Sequence, residues 1–206
     1  MDEERVSLNQ LDVLREIGTI GAGRAATALA DLLNTKVEIT LPQTKLIPLE
    51  ALDKILGDPE ESFFVLDTGL EGDVGGRILF LLSPSEARIL GATLLDKEPA
   101  EIDFDDALFQ SSLKETTNIV VGAYMNALSD ITGLNILYGV PSLALDMVAA
   151  LLDFIFVQLA QHSEEALFIK TDLRVKEIAF GGLFLFFPDA FSLKKIFSAL
   201  GFNEEK

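Results

Sequence analysis

The chain of 206 residues contains no cysteine, no tryptophan and a single histidine. Without thiols it has no disulfide framework, no thiol nucleophile and no zinc–thiolate centre. His162 stands alone in the polar stretch QHSEE, which reads as a solvated loop and supplies neither a catalytic base nor a metal site. Basic residues are scarce: 16 Lys and Arg against 33 Asp and Glu leave a formal net charge of −17. A surface of that sign repels a phosphate backbone, and no local basic patch offsets it, so nucleic acid is excluded as a partner.

Long apolar runs are also missing. The segment SLALDMVAALLDFIFVQLA at 142–160 is interrupted by Asp146, Asp153 and Gln158, and IAFGGLFLFF is ten residues long. Neither matches the roughly 20 uninterrupted apolar residues of a membrane-spanning helix. The start, MDEERVSLNQ, is charged and carries no apolar signal core. A cytoplasmic protein without membrane insertion is expected.

What is present is enough apolar character, 49% of residues, to bury a core. Residues 11–33 space apolar side chains by three and four, the period of a helix. KVEITLP alternates as a strand ended by Pro42, and SFFVLDTGLE with VGGRILFLL forms an antiparallel pair across Gly72-Asp73. SPSEARILGATLLD is a helix capped by Ser83 or Ser85. The pattern then restarts: a long helix from Asp105 to Ile131, a short strand in LNILYGVP, a helix over 142–160, two strands, and a closing helix ending at Gly201.

Sliding the chain by 99 residues aligns 12–42 with 111–141 and gives eight identities: Leu14/Leu113, Glu16/Glu115, Ile20/Ile119, Gly23/Gly122, Ala28/Ala127, Leu29/Leu128, Asp31/Asp130 and Pro42/Pro141. About two would be expected by chance, which points to an internal duplication within one domain over 1–206. The repeats run from about 8 to 100 and from about 105 to 206, with KEPAEIDFDD as the seam.

Gly18, Gly21 and Gly23 in IGTIGAGR invite comparison with a phosphate loop. Their order, G-x-x-G-x-G inside a helical pattern, fits neither the dinucleotide fingerprint nor a Walker loop. Glycine within a helix costs about 1 kcal/mol relative to alanine, so this cluster implies close backbone packing, with the shared Gly23 and Gly122 as its expected sites. On the opposite side Asp12, Glu16, Thr19 and Gly23 form a polar stripe, repeated in register by Ser111, Glu115, Asn118 and Gly122. A single such stripe is an ordinary solvated face; its recurrence beside a glycine is not.

These residues resemble the motif of the CheC, CheX and FliY family of chemotaxis phosphatases: Asp or Ser, three residues, Glu, two residues, Asn, and 22 residues further on a Pro. The second copy matches throughout, with Ser111, Glu115, Asn118 and Pro141; the first gives Asp12, Glu16 and Pro42, but Thr19 stands in the place of Asn. Two motif helices look most like the CheC type. The resemblance implies hydrolysis of the aspartyl phosphate on a CheY-like response regulator. Glu115 and Asn118 would form an intact site, and Glu16 and Thr19 a degenerate one. Asn118 would orient a water and Glu115 would meet a cation of the regulator. The expected cofactor complement is none of its own, no metal site, and Mg²⁺ on the regulator.

The resemblance also implies a second partner, a CheD-like deamidase docked on the helix at 142–160, with Asp146 and Asp153 on the binding face. Taken together, the expected fold is α+β: an internally duplicated, pseudo-twofold, largely antiparallel sheet of about six strands with both motif helices on one face. The rival reading is a non-catalytic adaptor that binds the phosphorylated regulator or the deamidase and retains only docking residues.

Overall fold

The computed structural model describes residues 8–160, 165–175 and 178–202; His162 lies outside them. Two helices of 26 residues dominate, α1 (Leu8–Leu33) and, in the second half, α4 (Ala107–Thr132). Each turns an apolar stripe inward: Leu14, Ile17, Ala25 and Leu29 on α1, and Phe109, Leu113, Val120, Tyr124 and Leu128 on α4. The Asp106 carboxylate caps α4 by accepting from the Leu108 amide at 2.8 Å, and Gly133 ends it in the left-handed conformation at φ 73°.

Among the described residues seven strands form one antiparallel sheet: β1 (Val37–Pro48), β2 (Ser62–Gly72), β3 (Gly76–Leu82), β4 (Ile136–Tyr138), β5 (Ser142–Met147), β6 (Glu165–Val175) and β7 (Ile178–Pro188). Their order is β1-β6-β7-β3-β2-β4, with β5 paired to β2 beside β4. Because β4 and β5 run consecutively along the same edge of β2, they act as one interrupted strand. Counted so, the sheet has six strands and reads alike from either end: β1 flanks β6 as the interrupted strand flanks β2, and β7 meets β3 at the centre.

Strand periodicity divides the core in two. Phe64, Leu66, Ile78, Phe80, Phe184 and Phe186 face the layer of α1, α4, α3 (Pro84–Leu95) and α6 (Ala190–Ala199). Val65, Leu79, Leu81, Leu185 and Phe187 face the opposite side, covered by the short helices α2 (Leu52–Leu56) and α5 (Val148–Phe154). Both motif helices therefore share one face, as expected. The Glu86 carboxylate fixes α3 to the sheet. It completes a capping box with Ser83 and accepts from the Gly181 amide at 3.1 Å, where β7 runs beyond the end of its pairing with β3.

Three sequence expectations need correction. The first strand does not stop at Pro42. The pairing moves from Thr40↔Asp172 to Gln43↔Lys170, three residues against two, so β1 absorbs the proline in a bulge and continues to Pro48. An edge strand with a bulge tolerates a residue that lacks an N–H. Residues 142–147 are not helical but form β5 on the edge of β2; α5 starts only at Val148 and passes into one π-helical turn, Ile155–Leu159. Asp146 accordingly lies on a strand and Asp153 on a helix, so the single helical face drawn through both does not exist. Backbone pairing with β2 outweighs the helical spacing of this segment.

The third correction concerns the glycines. A Cβ on Gly23 would meet nothing within 4 Å, whereas one on Gly21 would lie 2.9 Å from the Cα of Tyr124. Gly21, which the repeat does not share, is the residue that lets α1 approach the backbone of α4. Burial between the two helices and the sheet pushes the Tyr124 phenol above the ordinary tyrosine pKa range.

Candidate functional site

The polar stripe of α1 is exposed as predicted: Asp12, Glu16, Thr19 and Gly23 all face solvent. On α4, Ser111 and Glu115 are exposed, Asn118 is half-buried and Gly122 is buried. The intervals of four, three and four residues hold each set on one side of its helix. The opposite sides, Leu14 and Ile17 on α1 and Leu113, Thr117 and Val120 on α4, are locked in the core. The side chains are thus presented by rigid helices rather than by loops.

The two stripes differ at their third position. The Thr19 hydroxyl donates to the Arg15 carbonyl at 2.9 Å, one turn back along α1. A β-branched hydroxyl in a helix prefers this internal bond, which takes the only proton it can donate. Asn118 has an amide that donates twice and accepts, on a side chain one atom longer. A water beside Asn118 can be gripped from both sides; beside Thr19 it can only donate to an oxygen already engaged.

They differ again at the fourth position. Gly23 is open, while Gly122 lies beneath the Tyr138 side chain of β4: a Cβ there would stand 2.6 Å from the phenolic oxygen and 3.1 Å from Cζ. β4 is held against β2 by the Leu70↔Tyr138 pair and by the Gly139 amide donating to the Gly69 carbonyl at 3.0 Å. Pro141, three residues on, is buried where the outer strand breaks between β4 and β5. Pro42 occupies the corresponding bulge of β1. The prolines of the motif thus mark the irregularity in each outer strand, next to the motif helix. Tyr138 was not singled out by sequence spacing, because its partner in the repeat alignment is Ile39 and no identity marks the pair.

The electrostatics of the site are those of exposed carboxylates. Arg24 of α1 reaches Asp130 of α4 at 2.6 Å, an exposed pair that ties the helices together with little net energy. Among the described residues no three His, Asp or Glu side chains are grouped to hold a metal ion. No helix among them is long and apolar enough to cross a membrane. Asp153 is exposed on α5 and Asp146 on β5, close in sequence to Leu145, Met147, Phe156 and Val157, which are exposed as well.

Known proteins give this arrangement a context. The model of the CheC-like family matches residues 10–46, which span α1 and most of β1. The "CheY-P phosphatase CheC" of Bacillus subtilis is 32% identical over 196 residues, covering 93% of this chain and 94% of the relative. The crystal structure of Thermotoga maritima FliY superposes with a TM-score of 0.75 at 16% identity, covering 95% of this chain and 98% of that one. In the CheX-CheY-BeF3-Mg complex from Borrelia burgdorferi, the matching chain gives a TM-score of 0.50 at 18% identity, with 83% and 95% of the two chains covered.

Proposed function

Because the chain belongs to the CheC-like family, we propose that it is a phosphatase acting on the aspartyl phosphate of a CheY-like chemotaxis response regulator. The observation that carries this reading is the second stripe, with Ser111 and Glu115 exposed and Asn118 half-buried on one side of α4, beside the buried Pro141. The relative named for CheY-P hydrolysis matches over nearly the whole chain, and the matched CheX structure is a complex with CheY.

An acyl phosphate is already activated, so the enzyme must align a water rather than supply a strong base. Asn118 holds that water in line with the phosphorus. The water oxygen bonds to phosphorus, and the bond from phosphorus to the carboxyl oxygen breaks with its electron pair left on the aspartate. The surplus proton leaves with the phosphate or to solvent. Glu115, one turn earlier on α4, meets a cation of the regulator, most simply its active-site lysine, and sets the docking register. The Mg²⁺ in this scheme belongs to the regulator, and the reaction takes place in the cytoplasm.

The matching order of elements in the two halves is what a duplication leaves, and we read the chain as two repeats of one unit. The first site keeps Asp12 and Glu16 for docking, but Thr19 makes it weak or silent. The exposed apolar side chains around Asp146 and Asp153 favour a second, separate surface, on which a CheD-like deamidase docks across β5 and α5. Asp153→Arg should then weaken that complex without altering regulator turnover.

The decisive measurement is the decay of phosphorylated regulator with Asn118→Ala. Loss of one aligned polar group at the reacting centre predicts a fall of about 100-fold. An unchanged rate would refute the assignment, and retained binding of the phosphoregulator without turnover in the wild type would favour the adaptor.

A further inference from the structure

We infer that Tyr138 is a positioning residue of the second site, its hydroxyl gripping the same water that Asn118 aligns; this rests on the phosphatase reading above. Gly122 follows Asn118 by one helical turn on the same stripe. A helical side chain leans toward the N-terminus and covers the turn before its own Cα. The volume above Gly122 therefore belongs to the turn that carries Asn118. The phenolic oxygen of Tyr138 occupies that volume, 2.6 Å from where a Cβ would lie.

The placement is firm at one end and open at the other. The backbone of Tyr138 is paired with Leu70, and the Gly139–Gly69 bond follows immediately. Yet the residue keeps 36% of its surface exposed, so its side chain borders the surface on which a partner docks. A phenol hydroxyl donates one hydrogen bond and accepts another. Two groups that both donate and accept, from different elements, fix the direction of a water's lone pair more tightly than one. For an in-line attack the orientation is what the enzyme supplies.

The first half of the chain provides an internal contrast. Its register partner for Tyr138 is Ile39, and Gly23 has nothing above it. The glycine is present in both halves, but only in the second is there a hydroxyl for it to admit. The two sites thus differ by two hydrogen-bonding groups, not by Thr19 alone.

The test compares the full chain with Tyr138→Phe, Gly122→Ala and the double variant. It uses a CheY-type regulator phosphorylated by acetyl phosphate for kcat and KM, and the beryllofluoride-loaded regulator for affinity. Removing the hydroxyl should lower kcat about tenfold, the scale of one hydrogen bond, with affinity unchanged. Gly122→Ala should give a similar loss, because its methyl group displaces the phenolic oxygen. The double variant should be no slower than the slower single one, since both remove the same contact. Unchanged kcat in Tyr138→Phe while Asn118→Ala shows its large loss overturns the role of Tyr138 and leaves the phosphatase reading standing. Unchanged kcat in both variants overturns that reading as well. A rise in the dissociation constant alone makes Tyr138 a docking contact and overturns its positioning role.

Discussion

The Thr19 hydroxyl is bonded to the Arg15 carbonyl at 2.9 Å, inside its own helix, at the position where α4 carries Asn118. Replacing it by asparagine removes the β-branch and the internal bond together and restores an amide that can face solvent. In an Asn118→Ala background, Thr19→Asn should raise phosphoregulator turnover several-fold. It should remain below about a tenth of wild type, because two aligned groups contribute more than one. Recovery to the full wild-type rate would show that Asn is the whole difference between the sites.

Two neighbouring glycines should respond to alanine in opposite directions. At Gly21 a methyl group would meet the Tyr124 backbone at 2.9 Å and force α1 away from α4. Overpacking of this kind costs about 1–3 kcal/mol. At Gly23 the space is open and the helix gains a better former, worth about 0.5–1 kcal/mol. Denaturant unfolding of the two variants separates them; equal effects would place the helix contact elsewhere.

Charge at Glu115 should govern association rather than the chemical step. Glu115→Lys puts a cation where the regulator is proposed to present its own, so affinity should fall at least tenfold at low salt. Raising the ionic strength should narrow the gap from wild type, since screening weakens the new repulsion. Titration of the beryllofluoride-loaded regulator at two salt concentrations reads both effects. An affinity insensitive to this substitution would remove Glu115 from the interface.

Glu86 serves two elements at once, the cap of α3 and the Gly181 amide beyond the β3–β7 pairing. Glu86→Ala should destabilise the fold by about 1–3 kcal/mol, more than Ser83→Ala, which leaves the Gly181 bond in place. Chemical denaturation of both variants is the measurement, and an equal loss would make the β7 bond negligible.

Much of this was legible in the sequence because local rules and tertiary demands agree there. The helices α1 and α4, the β2–β3 hairpin and a serine cap on α3, left open between Ser83 and Ser85 and taken by Ser83, follow from spacing and turn chemistry alone. Where the sequence misled, a longer-range contact overruled a local signal. Pro42 normally ends a strand, but the bulge against β6 carries β1 past it. Residues 142–147 have helical spacing, but the free edge of β2 claims them as β5. The motif stripe was visible as a period in both halves. The covering of Gly122 by Tyr138 was not, since it joins a helix and a strand whose approach no period encodes.

The near-palindromic order of the sheet has a consequence for the chain as a whole. The two halves meet along three strand pairings, β1 with β6, β3 with β7, and β2 with β4 and β5; the central one sets the buried Ile78, Leu79 and Phe80 against the buried Phe186, Leu185 and Phe184. A cut at residues 97–106 would leave each half with a bare apolar strand edge where its sibling had been. Neither half should therefore fold alone, and the helix α1 should not be removable by discarding its half. The half that carries α1 therefore walls the same sheet as the half that carries α4, and its strands are needed there whatever its own helix contributes.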